Sequence, residues 1–265
     1  MGSVVPRLLK GVFKATKLVL IIAVLAFISR YVYGHVMDSP LLTLQEVTIE
    51  GCQETSEKKL LSMTQLDGKP NILNIDLAEL RSKVEANPWI EQAEIRRIFP
   101  NRISIKITER KPAAIILLER LYYIDGHGVI FARVPEDYQI GYPVLTGLCR
   151  DDFKAHPDQS WILVSKALSL INVMEGAEVL LKKDISEIHV DKALGINLYS
   201  NDGAIEIKLG LDHYEAKWRR LETVWRHLHE TPLNPAYIDC NYEKRVIVKI
   251  RDVTAFFTKR FTQYS

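Results

Sequence analysis

The sequence predicts an α+β protein in three parts: a single N-terminal transmembrane helix, a small βααββ unit, and a β-rich domain with two packed helices. Three features carry that reading. A cationic flank runs into an apolar stretch near the N-terminus, a Pro-Asn turn at residues 100–101 is followed by strict apolar alternation, and from residue 112 short strand patterns recur, interrupted by two amphipathic segments. At 47% hydrophobic and 26% charged residues, the 265-residue chain has ordinary globular composition, so disorder does not dominate and packed cores are expected.

Arg7, Lys10, Lys14 and Lys17 precede the uninterrupted apolar run from Leu18 to Ile28, and no acidic residue occurs before Asp38. A basic flank followed by an apolar run directs a chain to the membrane. The run alone has the length of a signal-peptide core. The pattern continues through "SRYVYGHVM", however, and so reaches the roughly 20 residues needed to cross a ~30 Å hydrocarbon layer. Arg30 falls near the far end, where its long side chain extends to the interface, and Tyr31 and Tyr33 suit the interfacial aromatic belt. No small-x-small cleavage pattern follows. Residues 1–17 are therefore read as a cytoplasmic tail and 18–37 as an anchor, with the bulk of the chain beyond the membrane because the positive flank stays in the cytoplasm.

"LLTLQEVTIEG" alternates Val47 and Ile49 and stops at Gly51, a strand pattern. A short helix is expected from a Ser56 cap through Leu60 and Leu61 until "DGKPN" breaks it. Asp76 with Glu79 three residues later has capping-box spacing, and Leu77, Leu80 and Val84 form a helical stripe that ends at Asn87-Pro88. "WIEQAEIRRIF" and "RISIKITER" then form two strands around Pro100-Asn101. Ile103, Ile105 and Ile107 share the face that packs on the helices, while Arg102, Lys106 and Arg110 face water.

Beyond Pro112, "AAIILLE" and "RLYYID" read as strands, and Asp125-Gly126-His127-Gly128 turns the chain into "VIFARV". Tyr142-Pro143 and Gly147 mark a further connection. A helix begins near Pro157 with Trp161, Val164, Leu168 and Ile171 on one stripe. "ISEIHVD", "LGINLYS" and "AIEIKLG" form a meander. A second helix opens at Asp212 with Glu215 and buries Tyr214, Trp218, Leu221, Trp225 and Leu228 before Pro232 and Pro235 end it. "AYIDCNY" precedes the last clear strand, "RVIVKIR" (Arg245 to Arg251), and a Phe-rich tail follows.

Few catalytic patterns occur in the sequence. The net charge of +2 is too small and too dispersed for a nucleic-acid binder, and neither a Walker-type loop nor G-x-G-x-x-G occurs. Cys52, Cys149 and Cys240 lack the C-x-x-C spacing of metal or redox sites, and their odd number leaves at least one thiol unpaired or intermolecular. His227 and His229 are two apart on a helix and point to different faces, so they do not form a metal pair. His127 lies between glycines that a tight turn needs anyway, and no serine sits in a nucleophile elbow. The reading is a protein with no catalytic residues, no metal and no cofactor, which acts through its surfaces. Trp218 and Trp225, at helical period, belong to a core.

The stretches "VTIEG", "NPWIEQAEIRRIFPNRISIKITERKP" and "YPVLTGL", in this order and spacing, resemble the extracytoplasmic part of the FtsQ and DivIB cell-division family, a likeness that runs from the basic tail to about Arg251. The resemblance implies a POTRA domain over 42–111, a β domain over 112–252 and a C-terminal tail over 253–265. It also implies a single-pass inner-membrane protein at the division septum, with no enzymatic activity. Its partners would be FtsB and FtsL, bound by strand addition at the end of the β domain, and other divisome proteins bound through the POTRA domain. Septal peptidoglycan synthesis would be positioned and regulated by this scaffold. Carried onto this sequence, the FtsB site comprises Tyr242, Lys244, Arg245, Val246, Ile247, Val248, Lys249 and Ile250. Where the family often has an arginine just before this tyrosine, the chain has Asn241, which leaves the family's ion pair from that position without its cation.

The residues themselves point the same way. "RVIVKIR" alternates Val or Ile with basic side chains, comes last, and precedes nothing that reads as a covering strand; an exposed strand edge is a template for another chain. An ordinary closing strand, paired on both sides, is the alternative. Two other functions fit the composition: a POTRA-bearing chaperone of outer-membrane assembly or secretion, which normally carries several such units and a barrel, and a periplasmic cell-wall hydrolase, which turnover of cell-wall fragments would reveal.

Overall fold

The computed structural model describes residues 5–37, 39–66, 68–137, 141–202, 205–231, 233–243 and 245–251. Lys244 and the tail 253–265 lie outside them. The chain divides into two compact units, Met1–Arg110 and Lys111–Ser265.

In the first unit, helix α1 (Val5–Met37) begins well before the apolar run, because the arginine, lysines and leucines of the flank are themselves good helix formers. Its stretch Thr16–Met37 is long and apolar enough to cross a membrane and none of it is buried by the rest of the protein, whereas an apolar core helix would be covered. Strand β1 (Glu46–Glu50), helices α2 (Glu57–Thr64) and α3 (Leu77–Glu85), and strands β2 (Ile90–Ile98) and β3 (Arg102–Glu109) follow. The sheet order is β1-β3-β2, with β3 parallel to β1 and antiparallel to β2. Ile103, Ile105 and Ile107 are buried with Leu60, Leu80 and Val84 in one core, while Arg102 and Lys106 face solvent. Asp76 caps α3, its Oδ1 accepting the N–H groups of Ala78 at 2.8 Å and Glu79 at 3.2 Å. Ser56 holds the N-cap position of α2, but its side chain makes no cap hydrogen bond.

Glu109, at the end of β3, fastens the segment that leaves β1. Its two carboxylate oxygens accept the N–H groups of Glu54 and Thr55, both at 2.8 Å. Burial alone would raise its pKa, but the backbone donors of Glu54, Thr55 and Gln53 outweigh it and hold the carboxyl below its ordinary 4.5. This contribution to stability is complete above the unfolded glutamate pKa and fades as the pH falls through the lowered folded value. An amide offers one acceptor oxygen in place of two charged ones. Glu109→Gln is therefore expected to cost on the order of 1 kcal/mol at neutral pH and to flatten the acid limb of the unfolding curve below pH 4.5. A variant with the wild-type acid limb would remove Glu109 from this role.

The second unit is built on one nine-stranded sheet. Its elements are β4 (Pro112–Leu117), β5 (Leu121–Asp125), β6 (Ile130–Arg133), β7 (Val144–Thr146), α4 (Arg150–Ala155), α5 (Pro157–Glu175), β8 (Ile185–Asp191), β9 (Gly195–Ser200), β10 (Glu206–Gly210), α6 (Tyr214–Glu230), β11 (Pro235–Asp239) and β12 (Ile247–Ile250). The strand order is β12-β11-β10-β9-β8-β7-β4-β5-β6. Val164, Leu168 and Ile171 of α5 and Trp218, Leu221 and Trp225 of α6 share one core with Ile188, Val190, Ile196, Leu198, Ile207 and Ile238 of the strands. Strand side chains alternate, so the intervening residues, among them Glu187, His189, Tyr199, Lys208 and Tyr237, occupy the opposite, helix-free face. β10, α6 and β11 form a crossover between parallel strands, which carries the chain outward to the sheet's edge.

Several expectations need correction. Residues 142–147, read as a connection, contain β7, which pairs in parallel with both β4 and β8 near the centre of the sheet. Three residues between Pro143 and Gly147 are too few to show a period. α4, six residues long, has no counterpart among the expected elements. Trp161, placed in the α5 stripe, is 41% exposed. His213, in the left-handed region at φ +54°, caps α6 by position, and Asp212 instead lies 3.0 Å from His213 Nδ1 and 3.5 Å from Lys217 Nζ. The final strand spans four residues, Ile247–Ile250, because Arg245 and Val246 belong to the connection before it.

Candidate partner-binding edge

β12 stands at one end of the sheet and pairs antiparallel with β11, Ile247 opposite Asp239, Val248 opposite Ile238 and Lys249 opposite Tyr237. The register slips by one between Pro235 and Tyr237, a bulge on the β11 side. The N–H of Arg251 donates to Asn234 O at 2.8 Å. Successive residues of a strand direct their N–H and C=O to opposite sides. Ile247 and Lys249 therefore share the direction of Arg251, toward β11, and Val248 and Ile250 turn their hydrogen-bonding groups outward. Among the described residues no strand pairs with that outer side. Such a rim is chemically equipped to accept another strand.

The side chains around the rim divide by face. Val246 and Val248 are half-buried and pack against the core under the helices. Lys249 points to the helix-free face, where its Nζ lies 5.8 Å from the Tyr237 ring centroid, with Lys208 Nζ at 4.9 Å from the same ring. A cross-strand row runs there from Glu187 through Tyr199, Glu206 and Tyr237 to Lys249, acid and aromatic alternating until a lysine closes it at the open edge. Tyr242 is 42% exposed on the connection, with the Arg245 guanidinium 4.8 Å from its ring. Seven of the eight residues singled out in the sequence thus lie within one stretch from Tyr242 to Ile250, and Lys244 lies outside the described residues.

Two residues passed over in the sequence reach this connection from α6. Lys217 is buried and donates to Leu209 O at 2.7 Å, with Asn241 Oδ1 at 3.4 Å. Arg220 Nη1 donates to the carbonyls of Tyr242, at 3.0 Å, and Glu243. Within "KWRRLE" they look like the solvated face of an amphipathic helix, so only their spacing toward the buried Trp218 and Leu221 hints otherwise.

Among the described residues, other candidate groups are engaged in structural contacts. Asp125 is buried and accepts the N–H groups of His127 at 2.9 Å and Val129 at 2.8 Å, so the carboxylate beside His127 is committed to the turn. Thr146 donates its hydroxyl to Glu187 and meets His189 Nδ1 at 2.8 Å. That proton is spent on Glu187, and the trio braces β7 against β8. The three cysteines are free thiols; burial pushes Cys240 up to about 12, which leaves it unreactive. Trp218 and Trp225 are core residues. Among the described residues no three His, Cys, Asp or Glu side chains are grouped to hold a metal ion.

The first unit, with its membrane-length helix, places the chain in the class of POTRA-bearing proteins: residues 42–110 match the POTRA domain, FtsQ-type. Residues 114–241 match the C-terminal region of cell division protein FtsQ/DivIB, a match that stops just before Tyr242. The chain is 29% identical over 240 residues to the cell division protein FtsQ of Syntrophotalea carbinolica, covering 91% of this chain and 84% of that protein. It is 30% identical over 217 residues to FtsQ of Geobacter sp. (strain M21), covering 82% and 79%. It belongs to the FtsQ/DivIB family of cell-division proteins.

Proposed function

We propose that the chain is a non-enzymatic scaffold of the division machinery. α1 holds it in the inner membrane as a single-pass protein, N-terminus in the cytoplasm and bulk in the periplasm, at the septum. β12 takes up a strand of FtsB and brings FtsL with it, and in this way the protein helps to position and regulate septal peptidoglycan synthesis. The POTRA domain docks other divisome proteins. The observation that carries this reading is the outer side of β12, with which no strand pairs among the described residues.

Main-chain pairing supplies the affinity in strand addition, and alternate side chains supply the selectivity. Val246 and Val248 favour apolar partners on the helix side, and Lys249 at the end of its row favours an acidic residue opposite. The test is co-purification of the full-length chain from membranes. FtsB and FtsL are expected to remain bound, and to be lost from a chain that ends at Asn241. Retention of both by the shortened chain would overturn the proposal.

A further inference from the structure

The four-residue strand β12 has few means of staying in place. Among the described residues it pairs on one side only, beside a bulge, and residues 241–243 and 245, which lead into it, are exposed. Among the described residues of the connection, apolar packing reaches only its two ends, Cys240 and Val246. Polar contacts from α6 hold it instead. Lys217 is 5% exposed, and a buried ammonium is costly unless acceptors surround it. Its acceptors come from three segments that meet beneath the connection: Leu209 O at the end of β10, Asp212 Oδ1 before α6, and Asn241 Oδ1 after β11. Asn241 is fixed further by its own N–H, which donates to Asp239 Oδ1 at 2.9 Å. Its side chain lies against Gly210, at φ +71°, where a Cβ would collide with the amide oxygen. One turn along α6, Arg220 forks under the carbonyls of Tyr242 and Glu243, and its Nε is buried without an acceptor among the described residues. Both cations sit on a helix anchored in the core by Trp218 and Leu221.

We propose that Lys217 and Arg220 are positioning residues: they clamp the β11–β12 connection to α6 and so hold the open rim of β12 in a strand-ready conformation before any partner arrives. This rests on the strand-addition reading above. The two side chains act through the loop and do not touch the partner. Asn241, where the family often places an arginine, here serves as the acceptor of a buried lysine. An edge that is competent only part of the time binds with an affinity reduced by that fraction, and the clamp removes the reduction.

The test uses the full-length chain and its Arg220→Ala variant, with the FtsB–FtsL pair as the probe. In the free variant, the amides of Ile247 and Lys249, which donate to β11, are expected to exchange about tenfold faster, and the dissociation constant for the pair is expected to rise about tenfold. Melting of the sheet should stay near wild type. Unchanged exchange together with unchanged affinity overturns the clamp. Weakened binding with unchanged exchange also overturns it, since Arg220 would then contact the partner itself. Should Arg220→Ala fail to fold, Lys217→Met, which keeps the volume and removes the donors, is read by the same two measurements. A Val248→Pro chain that still captures the pair ends strand addition and the clamp together, whereas loss of capture there with wild-type behaviour of Arg220→Ala ends the clamp alone.

Discussion

Val248→Pro is expected to abolish capture of the partner strand while leaving both units folded. Val248 sits opposite Ile238, and by the alternation set by the Arg251 N–H to Asn234 O bond its own N–H points away from β11. Proline there removes a donor that only an added strand would use, and leaves the existing ladder intact. The ring also projects into the space of the incoming backbone, which is why proline inside a paired sheet is so rarely found. Loss of one ladder bond is worth on the order of 1 kcal/mol, and the obstruction adds to it, so the affinity should fall by at least about tenfold. Lys249→Pro is the informative companion. It removes an inward donor, so it should loosen β12 from β11 and lower the melting temperature of the second unit, an effect Val248→Pro should not show. Isothermal titration with the FtsB–FtsL pair and calorimetry of both variants would check the contrast. Wild-type affinity in Val248→Pro would sink strand addition at this rim.

The parts of this architecture that could be read from the residues are those with a repeated local signal. Residues 102–108 alternate strictly, and Ile103, Ile105 and Ile107 are all buried as the period requires. Asp76 caps the helix it was expected to cap. β7 gave no signal, because a three-residue strand shorter than two periods is defined by its neighbours β4 and β8 rather than by its own pattern. The position of β12 in the sheet was equally beyond local inspection. Whether the last strand ends at an edge depends on the crossover through α6, a long-range fact that no local pattern carries. The helix-borne clamp was hidden for another reason. Lysine and arginine in an amphipathic helix normally face water, and the burial of Lys217 follows from its contacts with Leu209 and Asn241, which no pattern within the helix announces.

The second large effect is expected at Gly147, which the sequence offered only as a turn marker. Its φ is +88°, in the left-handed region, and a Cβ built there would run into the backbone of Val190 on β8. Glycine is needed on both counts: the conformation disfavours any L side chain, and β7 and β8 approach too closely for one. Backbone atoms cannot swing aside as a flexible side chain does, so Gly147→Val must separate two strands at the centre of the sheet. Strain at such a conformation and overpacking each cost about 1–3 kcal/mol, a large share of the roughly 5–15 kcal/mol that stabilises a typical domain. The loss should be confined to the second unit, because the first has its own core around Ile103, Ile105, Leu60 and Val84. Calorimetry is therefore expected to resolve two transitions, with the one belonging to residues 111–265 lowered sharply or absent and the one belonging to the POTRA domain unmoved. Partner capture would disappear with the second unit even though Gly147 is remote in sequence from β12, since the rim exists only while the nine strands stay in order. Gly147→Ala should follow closely, as the collision begins at Cβ. If both transitions fall together, the two units do not fold independently, and the Val248→Pro result would then have to be judged against the stability of the whole chain.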